Sequence, residues 1–367
     1  MPTTYAIPNG ATAMTATTYS GNSASPQAFT NGGNNNTGVT FLPDLVWIKN
    51  RSSGSYWNVW FDTVRGAGNQ LSSNQSDAEL ASASNVAGKI SAFNSNGFST
   101  AAGSVSSTSV NTTGNNYVAW QWNAGSNTTT TNTTGTITST VSANTTAGFS
   151  IVTYTGTGSA ATIGHGLGVA PKFLIVKNRT QAGNAWGVWT IAFGGTASDT
   201  DYVLLNDTGA KGYLGAVALW NNTAPTSSVF SIGTQATTNR NGDGFVAYCW
   251  TAVPGFSAFG SYTGNGSTDG PFIYTGFRPK FWMAKRTDVG APWLIYDSAR
   301  NTSNVVNNYL IPNASDAEAS GSSPNDVNDF LSNGFKLRCS NAGENASGGT
   351  YIYMAFAETP FKFSNAR

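Results

Sequence analysis

Few residues in this chain of 367 could carry chemistry. The single histidine, His165, lies in the glycine-rich segment 164–168. No cysteine, carboxylate or second histidine stands near it with the spacing of a metal site or of a nucleophilic triad. The segment also lacks the Lys-Ser/Thr pair of a phosphate-binding loop. We therefore interpret His165 as a turn residue.

Two short acidic motifs are the only candidates for paired carboxylates. Asp77 and Glu79 are two positions apart, as are Asp316 and Glu318, so each pair would share one face of a strand. Such pairs could serve glycoside hydrolysis or bind Ca²⁺ through oxygen ligands. Both motifs lie among Ser, Ala and Asn, which favours solvated loops. We predict no catalytic residue, no metal ligand and no cofactor.

An Asp-x-x-Arg motif occurs twice and points to structure rather than catalysis. Asp62 precedes Arg65 as Asp297 precedes Arg300, whereas the matching stretch 192–195 has lost both charges. The motif predicts an ion pair that holds the loop after a strand. A lysine recurs at the end of another strand, as Lys49, Lys177 and Lys285. There it could either extend along apolar surface to keep its ammonium group in water or bind carbonyl groups.

The strand that carries these lysines belongs to a threefold internal repeat. The segments 43–51, 171–179 and 279–286 each begin with proline and run through large apolar residues to lysine. An aromatic closing strand follows at nearly constant distance, 79 positions from Pro43 to Trp122, 79 from Pro171 to Trp250 and 77 from Pro279 to Phe356. Such regular spacing predicts an array of structural modules.

Each repeat is expected to form a β-sandwich. Short apolar and aromatic runs alternate with Asn-, Gly- and Ser-rich turns, and no persuasive helical pattern occurs. The prediction is an all-β chain of three tandem antiparallel, jelly-roll-like modules. Residues 1–122 with an N-terminal arm form module 1, 148–252 module 2 and 253–367 module 3. Residues 123–147, rich in Thr, Asn and Ser, would be a linker or an extended strand lying against another chain.

Composition excludes several classes of partner. Only 10% of the residues are charged and the net charge is +1, which gives no field for nucleic acid or anionic lipid. No apolar run is long enough to span a membrane, and the lack of a basic-then-apolar segment at the start predicts a protein made without a signal peptide. The two cysteines, Cys249 and Cys339, stand in different repeats and are expected to be unpaired, small apolar residues of strands.

The repeated motifs resemble a module of tail-fibre-like virion structural proteins from marine and cyanobacterial phages. The resemblance rests on residues 43–52, on 154–179, on the Asn-Gly-Phe turn and on the Tyr-Val-Ala-Trp closing strand. It covers the chain through the three copies, of which the third departs most. The resemblance implies a non-enzymatic virion protein of the tail-fibre or receptor-binding type and carries over no active site.

The expected partners are other virion proteins, further copies of the chain in a homotrimer, and a host-surface glycan or protein. Two alternatives stay open. One is a head or tail-body component, such as a capsid decoration or fibre-attachment protein, with its arm and residues 123–147 laced onto neighbours. The other is a polysaccharide depolymerase, which the long repeat period disfavours because β-helix rungs are much shorter. Sequence variation between copies directs the search for function to the loops 31–36, 76–81 and 315–319 and to the insert 123–147.

Overall fold

The computed structural model describes residues 6–32, 41–82, 88–103, 110–194, 201–213, 219–322 and 325–357. The described residues are almost entirely β-strand and turn, and every strand pair is antiparallel. The predicted all-β antiparallel fold is therefore confirmed. Most of the loop 31–36 lies outside the described residues. No helix in the described ranges has the length and hydropathy needed to cross a membrane.

Module 1 consists of a larger and a smaller sheet. The larger has the order β1-β8-β3-β4-β5 and the smaller β2-β7-β6. A 3₁₀ turn, Gly10–Thr12, precedes the first strand. The strands are β1 (Met14–Ser20), β2 (Gln27–Thr30), β3 (Leu45–Asn50), β4 (Val59–Asp62), β5 (Leu71–Ser72), β6 (Gly88–Asn94), β7 (Gly97–Ala102) and β8 (Asn116–Trp122).

Module 2 repeats the plan with a longer sheet, β16-β15-β14-β13-β18-β11-β10-β9, and the pair β12-β17. It also contains a 3₁₀ turn, Ile191–Phe193, and the one-turn helix α1, Ala236–Asn239. The strands are β9 (Thr130–Asn132), β10 (Ser139–Asn144), β11 (Phe149–Thr155), β12 (Ala161–Gly164), β13 (Phe173–Asn178), β14 (Trp186–Thr190), β15 (Asp201–Leu204), β16 (Gly212–Tyr213), β17 (Val229–Ile232) and β18 (Gly244–Trp250).

Module 3 has the sheets β19-β27-β21-β22 and β20-β26-β25, with the small pair β23-β24. The strands are β19 (Ser257–Thr263), β20 (Phe272–Tyr274), β21 (Pro279–Arg286), β22 (Trp293–Asp297), β23 (Asn308–Tyr309), β24 (Ala319–Ser320), β25 (Asn328–Leu331), β26 (Gly334–Leu337) and β27 (Thr350–Ala357).

The same nested pairing recurs in the three modules. The outer pairs are β1 with β8, β11 with β18, and β19 with β27, and the inner pairs are β2 with β7, β12 with β17, and β20 with β26. A jelly roll nests its strands in the same way. Apolar side chains from the two sheets meet, as in module 1, where Ile90 and Phe98 of the smaller sheet share a cluster with Ile48 and Phe61 of the larger.

The larger sheets are covered on both faces, which explains why their central strands are apolar throughout. Along β3, Val46 and Ile48 face the interior of module 1, whereas Leu45 and Trp47 join a second apolar cluster that includes side chains of all three modules. An ordinary two-sheet sandwich would leave that second face to water. Here the faces of the modules cover one another.

Equivalent aromatic residues from the ends of the closing strands meet in this shared core. The indole of Trp122 packs edge-on against the ring of Trp250 with centroids 6.2 Å apart, and against Phe356 at 5.7 Å. Phe281 of module 3 lies 5.7 Å from the same indole. All four side chains are almost completely buried. The shared core therefore joins the three modules through the motif that ends each repeat.

The segment 123–147 adds strands to module 2. Val141 and Ser142 of β10 pair with Val152 and Ile151 of β11, and β9 pairs with β10 on the outer side. The described part of the N-terminal arm likewise packs inside the chain, since Ile7 and Met14 belong to the shared core. The described structure of 123–147 therefore contains two short strands, and their partners lie in this chain rather than in another.

Candidate functional site

The Asp-x-x-Arg motif of module 1 forms a completely buried ion pair at the end of β4. Asp62 accepts a hydrogen bond from the Arg65 backbone N–H at 2.8 Å and one from its Nε at 2.5 Å. The guanidinium also donates to Glu79 at 2.8 Å and to the Trp60 carbonyl at 3.1 Å. Tyr248 of module 2 donates its hydroxyl to Asp62 at 2.7 Å. The predicted clamp exists, and it also reaches the neighbouring module.

Module 3 repeats this arrangement against module 1. Asp297 accepts from the backbone N–H of Arg300 at 2.9 Å and from its Nε at 2.6 Å, and Arg300 donates to Glu318 at 3.0 Å. Trp120 of module 1 donates its indole N–H to Asp297 at 2.9 Å. Although burial raises the pKa of Asp297, the Arg300 charge outweighs it and lowers that pKa overall. The carboxylate is thus held ionised inside the protein.

Glu79 and Glu318 connect the modules rather than lying in solvated loops. Arg179 of module 2 binds Glu79 of module 1 through Nε and Nη2 at 2.9 and 2.7 Å. Arg51 of module 1 binds Glu318 of module 3 in the same bidentate way at 2.9 and 2.8 Å. Burial raises the pKa of Glu79, but hydrogen bonds and charges from Arg179 and Arg65 give a net lowering. Only the other member of each acidic motif, Asp77 or Asp316, is exposed.

The recurring lysines bind carbonyl groups across the same contacts. Lys49 Nζ donates to the Ala314 carbonyl at 3.0 Å, Lys177 Nζ to that of Ser76 at 3.2 Å, and Lys285 Nζ to that of Thr208 at 3.0 Å. All three lysines are fully buried. Burial lowers the pKa of Lys49 to about 7 and the pKa values of Lys177 and Lys285 to about 8. Carbonyl binding, one of the two roles expected from sequence, is confirmed.

A fourth equivalent position also donates across each contact. Asn58 Nδ2 binds the carbonyls of Pro312 and Ala314, both at 2.8 Å. The residue at the same register in module 2 is Trp186, whose indole N–H reaches the Ser72 carbonyl at 3.0 Å. In module 3 it is Trp293, which donates to the Leu204 carbonyl at 2.9 Å. Sequence reasoning missed these residues because asparagine and tryptophan share no chemistry beyond a side-chain N–H.

The contacts close into a ring within one chain. Donors of module 2 enter the loop of module 1, donors of module 3 enter the loop of module 2, and donors of module 1 enter the loop of module 3. One backbone hydrogen bond recurs at each step, from Glu79 to Arg179, from Lys211 to Thr287 and from Glu318 to Arg51. It places Lys211 at the position of the two glutamates and Thr287 at the position of the two arginines.

The contact between modules 2 and 3 therefore lacks both parts of the charged network, the Asp–Arg clamp and the Arg–Glu pair. The register of β13 and β14 puts Thr190 at the position of the aspartate and Phe193, three residues later, at that of the arginine. The stretch 192–195, which the sequence alone matches to the motif, is therefore two residues too late. Lys211 Nζ lies 5.9 Å from the centroid of the Phe193 ring, a cation–π arrangement. An arginine at position 287 would have faced Lys211. The Arg–Glu pair and the clamp are absent together at this contact.

The remaining candidates from the sequence, one histidine and two cysteines, are buried among protein groups. His165 is buried, with Nε2 3.1 Å from the Thr226 carbonyl and Nδ1 accepting from the Leu167 N–H at 3.2 Å. Cys249 and Cys339 are free and buried. Cys339 lies outside the strands, with Sγ 3.1 Å from Glu344. Among the described ranges, no group of three or more histidine, cysteine and acidic residues could hold a metal ion.

Glu344 is a buried carboxyl group that sequence reasoning did not single out. Its side chain lies inside module 3, close to Cys339 and fully shielded from water. Burial, with a further contribution from the charge of Asp326, raises the pKa of Glu344 to about 7. The group is therefore protonated in the folded protein at mildly acidic pH.

Glu344 should make stability fall as the pH rises. Its folded pKa exceeds the unfolded value of about 4.3, so the stabilisation is complete below that value and is lost between about pH 4.3 and 7. Glu344→Gln, which keeps the shape without the charge, is expected to raise Tm at pH 8 and to flatten this dependence. Thermal unfolding from pH 4.5 to 8 would measure the pH dependence of Tm. Glu318→Gln serves as the control, because that substitution removes an ion pair from the folded protein instead. An unchanged pH profile in Glu344→Gln would contradict the assignment.

Comparison with known proteins identifies a family, but the function of that family is unknown. A family model described as a domain of unknown function (DUF7483) matches residues 10–360, almost the whole chain. Neither the curated proteins nor the solved structures give a significant match.

Proposed function

The chain belongs to the DUF7483 family, a domain of unknown function, and from its contacts we propose that it is a non-enzymatic structural protein of a bacteriophage virion. One observation carries the structural part of the proposal. The polar residues that recur in the repeats, such as Lys49, Arg51 and Glu79, lie in the contacts between modules, where they bind protein groups. Such residues serve assembly of the ring rather than turnover of a substrate.

The virion part of the proposal rests on the resemblance of the repeated motifs to tail-fibre-like phage proteins. The architecture suits that role physically. A particle protein must persist outside the cell, and a core shared by all three modules resists local opening because releasing one module would expose its apolar side chains to water. Within the virion we favour a tail-fibre or receptor-binding component, whose exposed loops would meet a glycan or protein of the host surface.

The position in the particle is open to a direct test. An antibody against the purified chain would be applied to phage particles whose genome encodes it, with immunogold electron microscopy as the readout. Gold at the tail tips is expected. Gold spread over the heads, with copies on the order of hundreds per particle in quantitative mass spectrometry, would instead identify a capsid decoration protein. Particles that contain none of the chain would overturn the virion role altogether.

The non-enzymatic part needs its own test because a depolymerase can also reside in a tail. Purified host-surface polysaccharide would be incubated with the chain and new reducing ends measured. We expect none above the level of boiled protein. Release of reducing ends that scales with protein concentration would contradict the proposal and favour the depolymerase alternative.

The homotrimer predicted from sequence remains a proposal about assembly. The described contacts between modules are already satisfied inside one chain, so a trimer would need a different surface. Sedimentation equilibrium separates the two states, since a monomer has a mass of 38.2 kDa and a trimer three times that.

A further inference from the structure

A cavity of about 560 Å³ lies at the contact between modules 2 and 3. Its wall includes Phe193 and Lys211 of module 2 and Tyr262, Thr287, Asp288 and Tyr351 of module 3. We call this space the inter-module pocket. Its volume falls in the ~300–1,000 Å³ range of small-molecule sites.

The pocket lies where this contact departs from the other two. At the other two contacts, Arg179 with Glu79 and Arg51 with Glu318 occupy the positions that Thr287 and Lys211 have here. Each of those pairs spans the contact with two hydrogen bonds. A threonine side chain is too short to make that bridge. Lys211 bonds instead to Asp201 of its own module at 2.7 Å. Space that a guanidinium would enter therefore stays open.

The charges around the pocket are balanced in pairs. Lys211 is matched by Asp201, and Asp288 accepts two hydrogen bonds from Arg286 at 2.9 and 2.8 Å. The Arg286 hydrogen bonds lower the pKa of Asp288 to about 2, so its carboxylate is an acceptor throughout the neutral range. Because each of these charges already has a partner, the described wall offers no unpaired charge to attract an ionic ligand. The pocket is therefore suited to a neutral ligand with both donors and acceptors.

The uncharged part of the wall combines hydroxyl groups with apolar surface. Ser261, Thr263 and Thr350 are exposed at the rim, whereas the partly buried side chains of Phe193 and Tyr262 provide apolar contact. A pyranose ring has the complementary character, with hydroxyls around its edge and C–H groups on its faces. Carboxylate, ammonium and hydroxyl side chains beside aromatic rings can bind both at once.

We propose that the inter-module pocket binds a neutral saccharide of one or two pyranose units. This inference deepens the receptor-binding role proposed above and rests on it for its biological meaning. The bonds expected are from sugar hydroxyls to the Asp288 carboxylate, from Lys211 Nζ to sugar oxygens, and between the sugar and the rim hydroxyls. No covalent step is involved.

Saturation-transfer NMR on the full chain would test binding with glucose, galactose, mannose, N-acetylglucosamine, lactose and cellobiose as probes. Glucuronate and glucosamine provide the charged comparison. At least one neutral probe is expected to bind with a Kd of about 1 mM or below, and its charged analogue at least about tenfold more weakly. Absence of binding by every neutral probe, or a preference for the charged analogues, would overturn the proposal.

The other two contacts suggest a variant in which an arginine fills the pocket. Thr287→Arg combined with Lys211→Glu installs the residues of the other two contacts and is expected to abolish saccharide binding. Arg240→Ala, an exposed change elsewhere on module 2, should leave binding unchanged. Ser261→Trp blocks the rim from an exposed position and decides the matter if the double variant does not fold.

Binding that survives both blocking variants would place the saccharide elsewhere and overturn the assignment. These outcomes are independent of the virion role, which immunogold labelling decides. Particles that carry the chain while no neutral saccharide binds would refute the pocket alone. A chain that binds the saccharide but is missing from particles would refute the virion role and leave the pocket standing.

Discussion

Replacing Arg65 by methionine is expected to lower the free energy of unfolding by about 3–5 kcal/mol, as for other broken buried ion pairs. The side chains of Arg65 and Asp62 are both 0% exposed, so the variant would leave a carboxylate in the interior without its counter-charge. It would also remove the donor that Arg65 supplies to Glu79, the residue that connects module 1 to Arg179. Urea denaturation followed by circular dichroism would measure the loss.

Module 2 provides the matched control for this variant. Asp62→Thr together with Arg65→Phe introduces the residues found there as Thr190 and Phe193. The double variant removes both charges, and replacing a whole buried pair by uncharged side chains often costs little. It should therefore lose less than half of what Arg65→Met loses. An equal loss in the two variants would mean that packing, and not the unpaired charge, sets the cost.

Trp122→Ala is the second change with a large expected effect, about 3–5 kcal/mol, because it opens a cavity in the shared core. The indole is buried against Trp250 of module 2 and against Phe281 and Phe356 of module 3. The damage should consequently spread beyond the module that carries the substitution. Amide hydrogen exchange would show it as lower protection in β18 and β27.

Phe98→Ala separates this effect from ordinary core damage. Phe98 is equally buried but belongs to the cluster between the two sheets of module 1. Its loss should reduce protection in β2, β6 and β7, with little change in β18 and β27. If Trp122→Ala also left β18 and β27 fully protected, the shared core would not couple the modules.

The sequence predicted most of the secondary structure and the local ion pairs. Strands such as β3 and β13 were readable because apolar runs end at Asn-, Gly- and Ser-rich turns. The partnership of Asp62 with Arg65, and of Asp297 with Arg300, followed from a spacing of three residues at a strand end. Both inferences use interactions between residues that are close along the chain.

The predicted solvated loops at Glu79 and Glu318 were wrong for a physical reason. A glutamate among Ser, Ala and Asn resembles any exposed loop residue, and the arginine that joins it to the next module lies about a hundred or more positions away along the chain. The signal that could have found it was a coincidence between copies. The second repeat has lost the aspartate and arginine of the Asp-x-x-Arg motif, and the third repeat has Thr287 in place of the recurring arginine.

By itself, therefore, the sequence determined an antiparallel β fold, the recurrence of its strands and the buried pairs at their ends. These follow from side-chain periodicity and from short spacings, which act within a few residues. Only the tertiary structure decided that both faces of strands such as β3 are covered, that Lys49 and Glu79 connect modules, and that Thr287 and Lys211 border a pocket. These features depend on which faces of distant segments meet, and that is set by packing of the whole shared core rather than by any local pattern.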